Sequence, residues 1–127
     1  KYSKKYKFLK VFPTVPRSDY LGLLKNSTLL VGNSSSGIME APFLHIPSIN
    51  VGTRQEGRSN TTSIINVKYN KKAIKKAIKK AIEDKKFLES IKKQKNQHGN
   101  GNASKKIINI LEKLNLQKIS IQKKLAY

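Results

Sequence analysis

Apolar positions along the chain fall into two regimes. The first half carries three short continuous runs, Ser27–Gly32 (STLLVG), Pro47–Gly52 (PSINVG) and Ser63–Val67 (SIINV), each bounded by polar or turn-forming residues. Runs of that length fit strands of a parallel sheet, where both faces are covered and alternation disappears. The second half switches to helical spacing. Asn70–Lys86 (NKKAIKKAIKKAIEDKK) repeats in steps of four, aligning Ala73/Ile74, Ala77/Ile78 and Ala81/Ile82 in one stripe surrounded by lysines. Phe87, Leu88 and Ile91 mark a second helix, and Ala103, Ile107, Ile110, Leu111 and Leu114 a third. Between the first two strands, Gly37–Leu44 reads as a short helix, with Pro42 compatible only with its first turn or a kink. Upstream, Lys7–Phe12 reads as a short strand. Pro13 and Pro16 then interrupt the chain, and Ser18 is placed to cap a helix that ends near Asn26. This alternation predicts an α/β architecture with a parallel sheet flanked by helices.

Length and composition narrow the picture. The 127 residues suffice for one compact domain and not for two ordinary ones. The reading divides them into a basic lead-in (1–11), the domain body (12–115) and a basic tail (116–127) expected to be disordered. No apolar run approaches the roughly 20 residues of a bilayer-spanning helix, and no signal-peptide pattern opens the chain, so a cytoplasmic location is expected. The absence of cysteine excludes disulfides and thiolate metal sites, and the two histidines, His45 and His98, share no metal-ligand spacing. No cofactor is expected. The formal net charge of +20 favours anionic partners. The lysine-rich helix, however, has no aromatic residue within its repeat and reads as a solvated face over a packing stripe, which sets nucleic acid aside as a partner.

The candidate chemistry lies in two loops. Asn33-Ser34-Ser35-Ser36-Gly37 joins a strand to a helix start, where N–H groups and hydroxyls converge and suit a phosphate or diphosphate. An ordinary helix cap with spare serines explains the same residues, and the two readings stand side by side. Glu40 is favourable in a first helical turn; beside a phosphate cradle its carboxylate also suits a vicinal diol, as in ribose. Gly52–Arg58 (GTRQEGR) follows the next strand on the same rim, with Arg54 and Arg58 as candidate anion ligands.

Gly32–Arg58 (GNSSSGIMEAPFLHIPSINVGTRQEGR) strongly resembles the C-terminal domain of UDP-N-acetylglucosamine 2-epimerases, closest to the hydrolysing branch. The shared pattern is Asn-Ser-Ser-x-Gly-x-x-Glu, here Asn33–Glu40, followed by Pro-x-Ile-Asn-x-Gly-x-Arg-Gln-x-Gly-Arg, here Pro47–Arg58. His98–Leu111 (HGNGNASKKIINIL) is similar to the family's last segment. The resemblance implies a Rossmann-like domain, the C-terminal half of a glycosyltransferase-B-like two-domain fold, with nucleotide in the interdomain cleft. It implies that Ser34 and Ser35 contact the diphosphate of UDP and that Glu40 holds the ribose hydroxyls. It also implies that Arg54 and Arg58 serve either the substrate or a regulatory nucleotide sugar. The implied reaction converts UDP-GlcNAc and water to N-acetylmannosamine and UDP, by elimination of UDP and then hydration. Its acid and base residues lie mostly upstream in the family, so none is assigned among the chain's seven acids. A missing N-terminal domain is therefore expected, along with homo-oligomerisation through an exposed sheet edge. A different nucleotide-sugar enzyme of the same fold, or a basic nucleic-acid-binding module, are the alternatives.

Overall fold

A computed structural model describes residues 2–58, 61–97 and 99–115. The tail expected to be disordered (116–127) and His98 fall outside them. Two compact units divide the chain, 1–96 and 97–127.

The first unit is built on a parallel sheet of three strands: β1 (Leu30–Gly32), β2 (Ser48–Val51) and β3 (Ile64–Val67), in that spatial order. Register pairs Leu30 with Ser48, and Ser48 with Ile64. All three predicted runs form strands, so the α/β, Rossmann-like expectation of a parallel sheet with helices holds. The first strand departs from prediction in one respect. It is shorter than its apolar run and only partly covered, Val31 being 44% exposed; among the described residues β1 is an edge strand, paired with β2 alone.

The helices of this unit are α1 (Tyr2–Lys5), α2 (Arg17–Lys25), α3 (Glu40–Phe43), α4 (Lys71–Glu83) and α5 (Lys85–Lys92). The strand expected over Lys7–Phe12 does not form; α1 ends at Lys5, and a turn followed by irregular chain occupies that stretch. Helix α2 begins one residue before Ser18. Pro16 stands at its N-cap, and the Ser18 hydroxyl donates to Asp19 Oδ1 at 3.3 Å instead of capping. Proline at this position pre-sets backbone geometry and has no N–H to satisfy, so the capping serine is dispensable. The helices after the sheet are capped as their sequences suggest. Asn70 Oδ1 accepts from the N–H of Ala73, and Asp84 Oδ1 from the N–H of Phe87, each at 3.0 Å.

One face of the sheet makes the core. Ile49 packs with Ala77 and Ala81 of α4, surrounded by Leu29, Val51, Ile65, Val67, Ile78 and Phe87. Small alanines at the contact allow the helix backbone to approach β2 closely, which explains why the stripe is alanine on its innermost edge. The lysines of α4 are exposed. Lys79 pairs with Glu83 across one turn, and Lys80 sits over the Phe87 ring, so that face is solvated, as read from the repeat. Helix α5 is tied back to the start of the α3–β2 connection by the His45 imidazole, whose Nδ1 lies 2.9 Å from the Ile91 carbonyl. Gln94 adds a second tie: its Oε1 accepts from the Ser63 N–H and the Thr62 hydroxyl.

The second unit contains α6 (Ala103–Lys113), the last predicted helix, preceded by Asn102 at its N-cap.

Two substitutions probe this frame. Ile49, 1% exposed, is the largest buried side chain over α4; Ile49→Ala is expected to cost about 2–5 kcal/mol in urea denaturation. Gly52 turns the chain out of β2 at φ +86°, and a methyl there would collide with the Tyr69 ring. Tyr69 is exposed and can swing away, so the backbone strain dominates. Gly52→Ala should lower stability by about 1–2 kcal/mol, and Tyr69→Ala added to it should restore little.

Candidate functional site

Alternation along β2 divides the strand's side chains between two faces. Ile49 and Val51 enter the core, which leaves Ser48 and Asn50 on the opposite face, both buried. Ser48 donates its hydroxyl to the Gly37 carbonyl at 2.6 Å. Asn50 Nδ2 donates to Asn66 Oδ1 of β3 at 2.8 Å. That second face is therefore polar where β2 and β3 approach their carboxyl ends, the edge where ligands bind in open α/β sheets.

The serine stretch forms a compact turn over this face. Ser34 N-caps a 3-10 turn, Ser35–Gly37, its Oγ accepting from the Ser36 N–H at 3.3 Å. The N–H groups of Gly37, Ile38 and Met39 are taken by the carbonyls of Ser34 and Ser35. Those of Ser34 and Ser35, at the start of the turn, are not used within it. Ile38, 4% exposed, plugs the turn into the protein. Ser48 holds the turn from beneath. Gln55 holds it from the side, donating Nε2 to the Asn33 carbonyl at 2.8 Å.

The helix expected to follow is broken. After the 3-10 turn the chain passes Ile38 and Met39 before α3, which has four residues. Pro42 is the third of these, inside the first turn, where its missing N–H costs no hydrogen bond. A helix so short has little macrodipole to offer an anion. What the turn offers an anion is local: two N–H groups and the serine hydroxyls. Glu40 opens α3, and its Oε1 lies 3.6 Å from Arg17 Nη1 of α2.

The two motif loops do come together. Gln55 joins the loop after β2 to the turn after β1, so Asn33, Ser34, Ser35, Ser36 and Gly37 share a rim with Gly52–Arg58. A cavity of about 600 Å³ opens beside the turn, lined by Ile38, Asn50, Gln55, Arg58, Asn66 and Tyr69 among others. Arg58 lines it, whereas Arg54 is exposed on the same loop and does not. A smaller cleft, shared by Ser34, Gly37, Ser48 and Asn50, lies against the turn itself. Among the described residues no cluster of three or more His, Asp or Glu side chains could hold a metal, and no helix is long and apolar enough to cross a membrane.

Sequence reasoning passed over Ser48, Asn50, Gln55 and Arg17. The signal for the first two was present: serine and asparagine alternating with isoleucine and valine inside an otherwise apolar strand. Gln55 was overshadowed by the arginines flanking its loop.

Comparison with known proteins bears on this arrangement. Residues 1–112 match the family model described as UDP-N-acetylglucosamine 2-epimerase. The chain is 36% identical over 111 residues to the polysialic acid biosynthesis protein P7 of Escherichia coli, covering 87% of this chain and 28% of that protein. It is 49% identical over 63 residues to the UDP-N-acetylglucosamine 2-epimerase of Neisseria meningitidis serogroup B, covering 50% of this chain and 17% of the relative. Over 61 residues it is 46% identical to the hydrolysing GDP/UDP-N,N'-diacetylbacillosamine 2-epimerase of Campylobacter jejuni, covering 48% of this chain and 16% of that one. The chain thus spans less than a third of the length of these relatives. With the parallel sheet, the serine turn on its carboxyl edge and the loop of Arg54 and Arg58 beside it, the match over most of the chain makes it a member of the UDP-N-acetylglucosamine 2-epimerase family.

Proposed function

We propose that the chain is the UDP-binding, C-terminal part of a UDP-N-acetylglucosamine 2-epimerase of the hydrolysing type. The observation that supports this most directly is the braced serine turn. Its N–H groups at Ser34 and Ser35 are not taken within the turn, which lies at the carboxyl edge of the sheet and is held by Ser48 and Gln55. In this reading Ser34 and Ser35 bind the diphosphate, with Asn33, Ser36 and Gly37 shaping the turn. Glu40 accepts hydrogen bonds from the two ribose hydroxyls, and Arg17, 3.6 Å away, orients its carboxylate. Arg58, at the cavity beside the turn, and Arg54, on the exposed side of the loop, supply positive charge toward the diphosphate or a regulatory nucleotide sugar.

The full enzyme would eliminate UDP from UDP-N-acetylglucosamine, giving a 2-acetamidoglucal, and add water to release N-acetylmannosamine. That chemistry supports synthesis of sialic-acid-type sugars. Elimination leaves the departing diphosphate with an additional negative charge, and donors fixed at the turn stabilise charge where it develops. This chain's share is to hold the leaving group. Proton transfer needs positioned carboxylates or histidines, and in this proposal they come from an N-terminal domain across a cleft. A homo-oligomeric, cytoplasmic enzyme completes the reading.

The test is binding. UDP at millimolar concentration should raise the melting temperature of the 127-residue chain, and Ser34→Ala or Glu40→Ala should abolish the shift while the chain stays folded. No shift with folded, unsubstituted chain would remove the proposal. Ser48→Ala, which frees the Gly37 carbonyl, should cost about 1–3 kcal/mol of stability and weaken UDP without any contact to it.

A further inference from the structure

Glu40 opens a helix that holds itself poorly. Helix α3 has four residues, too few to persist on their own hydrogen bonds. Ala41 and Pro42 bury its inner side, but apolar contact is non-directional and does not fix the angle at which the helix lies. The bonds that set that angle come from outside the two motif loops.

Gln94, two residues past α5, makes the first of them. Its Oε1 accepts from the Ser63 N–H at 3.0 Å, and a backbone N–H can only donate. The amide's orientation is thereby settled, and Nε2 is the group that faces the Pro42 carbonyl of α3, 3.4 Å away. The Ser63 carbonyl accepts in turn from the Ser48 N–H of β2 at 2.9 Å. One amide therefore references α3 to the middle strand of the sheet. The Ser48 hydroxyl already holds the Gly37 carbonyl of the serine turn. Ser34 and Ser35 on the turn, and Glu40 on the helix, are thus spaced from a single residue of β2.

His45 makes the second bond. It follows α3 at φ +57°, and the N–H groups of His45 and Ile46 close onto the Pro42 and Ala41 carbonyls. Glycine is the usual residue at such a helix end, because a side chain disfavours the left-handed backbone. This side chain does what glycine cannot: Nδ1 lies 2.9 Å from the Ile91 carbonyl in the last turn of α5. A carbonyl oxygen only accepts, so Nδ1 is the donor. Gln94 and His45 together fasten the end of α3 to the end of α5.

We infer that Gln94 and His45 are positioning residues for Glu40. They hold α3 at the angle from which its carboxylate meets both ribose hydroxyls of a nucleotide whose diphosphate lies on the serine turn. The ligand in this inference rests on the nucleotide-binding proposal; the clamp does not.

Calorimetric titration of the 127-residue chain with UDP and with 2′-deoxy-UDP, which lacks one of the two hydroxyls, isolates the share of Glu40. The unsubstituted chain should favour UDP about tenfold. In Gln94→Leu and in His45→Gly that preference should fall to about twofold, because UDP weakens while 2′-deoxy-UDP changes little. Glycine suits the backbone at position 45, so the second variant serves if the first does not fold. Equal weakening of both nucleotides, or an unchanged preference, overturns the positioning role. Hydrogen exchange reads the clamp without ligand. The Leu44 and Ile46 amides, bonded to the Glu40 and Ala41 carbonyls, should exchange about tenfold faster in either variant, while the Gly52 amide, bonded to Val67, stays unchanged. Uniform acceleration, or none, overturns the clamp. An unsubstituted chain that binds the two nucleotides equally loses the ribose role of Glu40, and acceleration confined to α3 then keeps the clamp.

Discussion

Strand β2 is the constraint on which the rest depends. It is the middle strand, paired on both sides, so each of its side chains must be accommodated on one face or the other. Ile49 and Val51 meet α4 and close the core; Ser48 and Asn50 point away from it, into polar company. Burying a polar side chain is tolerable only with a partner, since an unpaired group costs roughly 1–3 kcal/mol. Ser48 meets that demand by binding the Gly37 carbonyl, and so fixes the serine turn at one height above the sheet. Strand and turn are positioned by the same hydrogen bond. Asn50 meets it by half, through Nδ2 alone, leaving Oδ1 unpaired. The fold tolerates a local conflict at that atom.

The sheet was legible because parallel strands announce themselves as continuous apolar runs, and the three runs became the three strands. The helices after the sheet were legible because Ala-Ile steps of four leave little alternative, and Asn70 and Asp84 sit where caps belong. Local rules failed where two of them competed. Ser18 is an excellent cap, yet Pro16 already fixes the backbone before the helix and takes its place. Residues 37–44 have helical composition, yet the turn must first bring Ile38 down into the protein, which splits the segment. The family resemblance was carried by the turn and loop motifs. The bracing residues were hidden because Ser48 and Gln55 act on backbone carbonyls, and sequence does not say which carbonyl a side chain will meet.

The distribution of charge sharpens the meaning of its sum. Lysines of α4 face solvent around an alanine stripe committed to the sheet. Arg58 instead faces the cavity from a glycine-flanked loop, and Arg17 is engaged with Glu40. A formal +20 therefore divides into a solvated background and a few cations aimed at particular places. With its arginine exposed, the Arg17–Glu40 pair adds little stability, so its value lies in orientation.

The hydrogen bond from Gln55 to Asn33 has a consequence for how ligand parts communicate. It makes one joint of two loops that belong to different strands. Whatever orders the turn after β1 also orders the loop after β2, and the entropy lost at that joint is lost once. A group held by one loop then lowers the ordering cost for a group held by the other, and linkage requires the reverse to be equally true. Two loops from different strands thus answer as one body through a single amide.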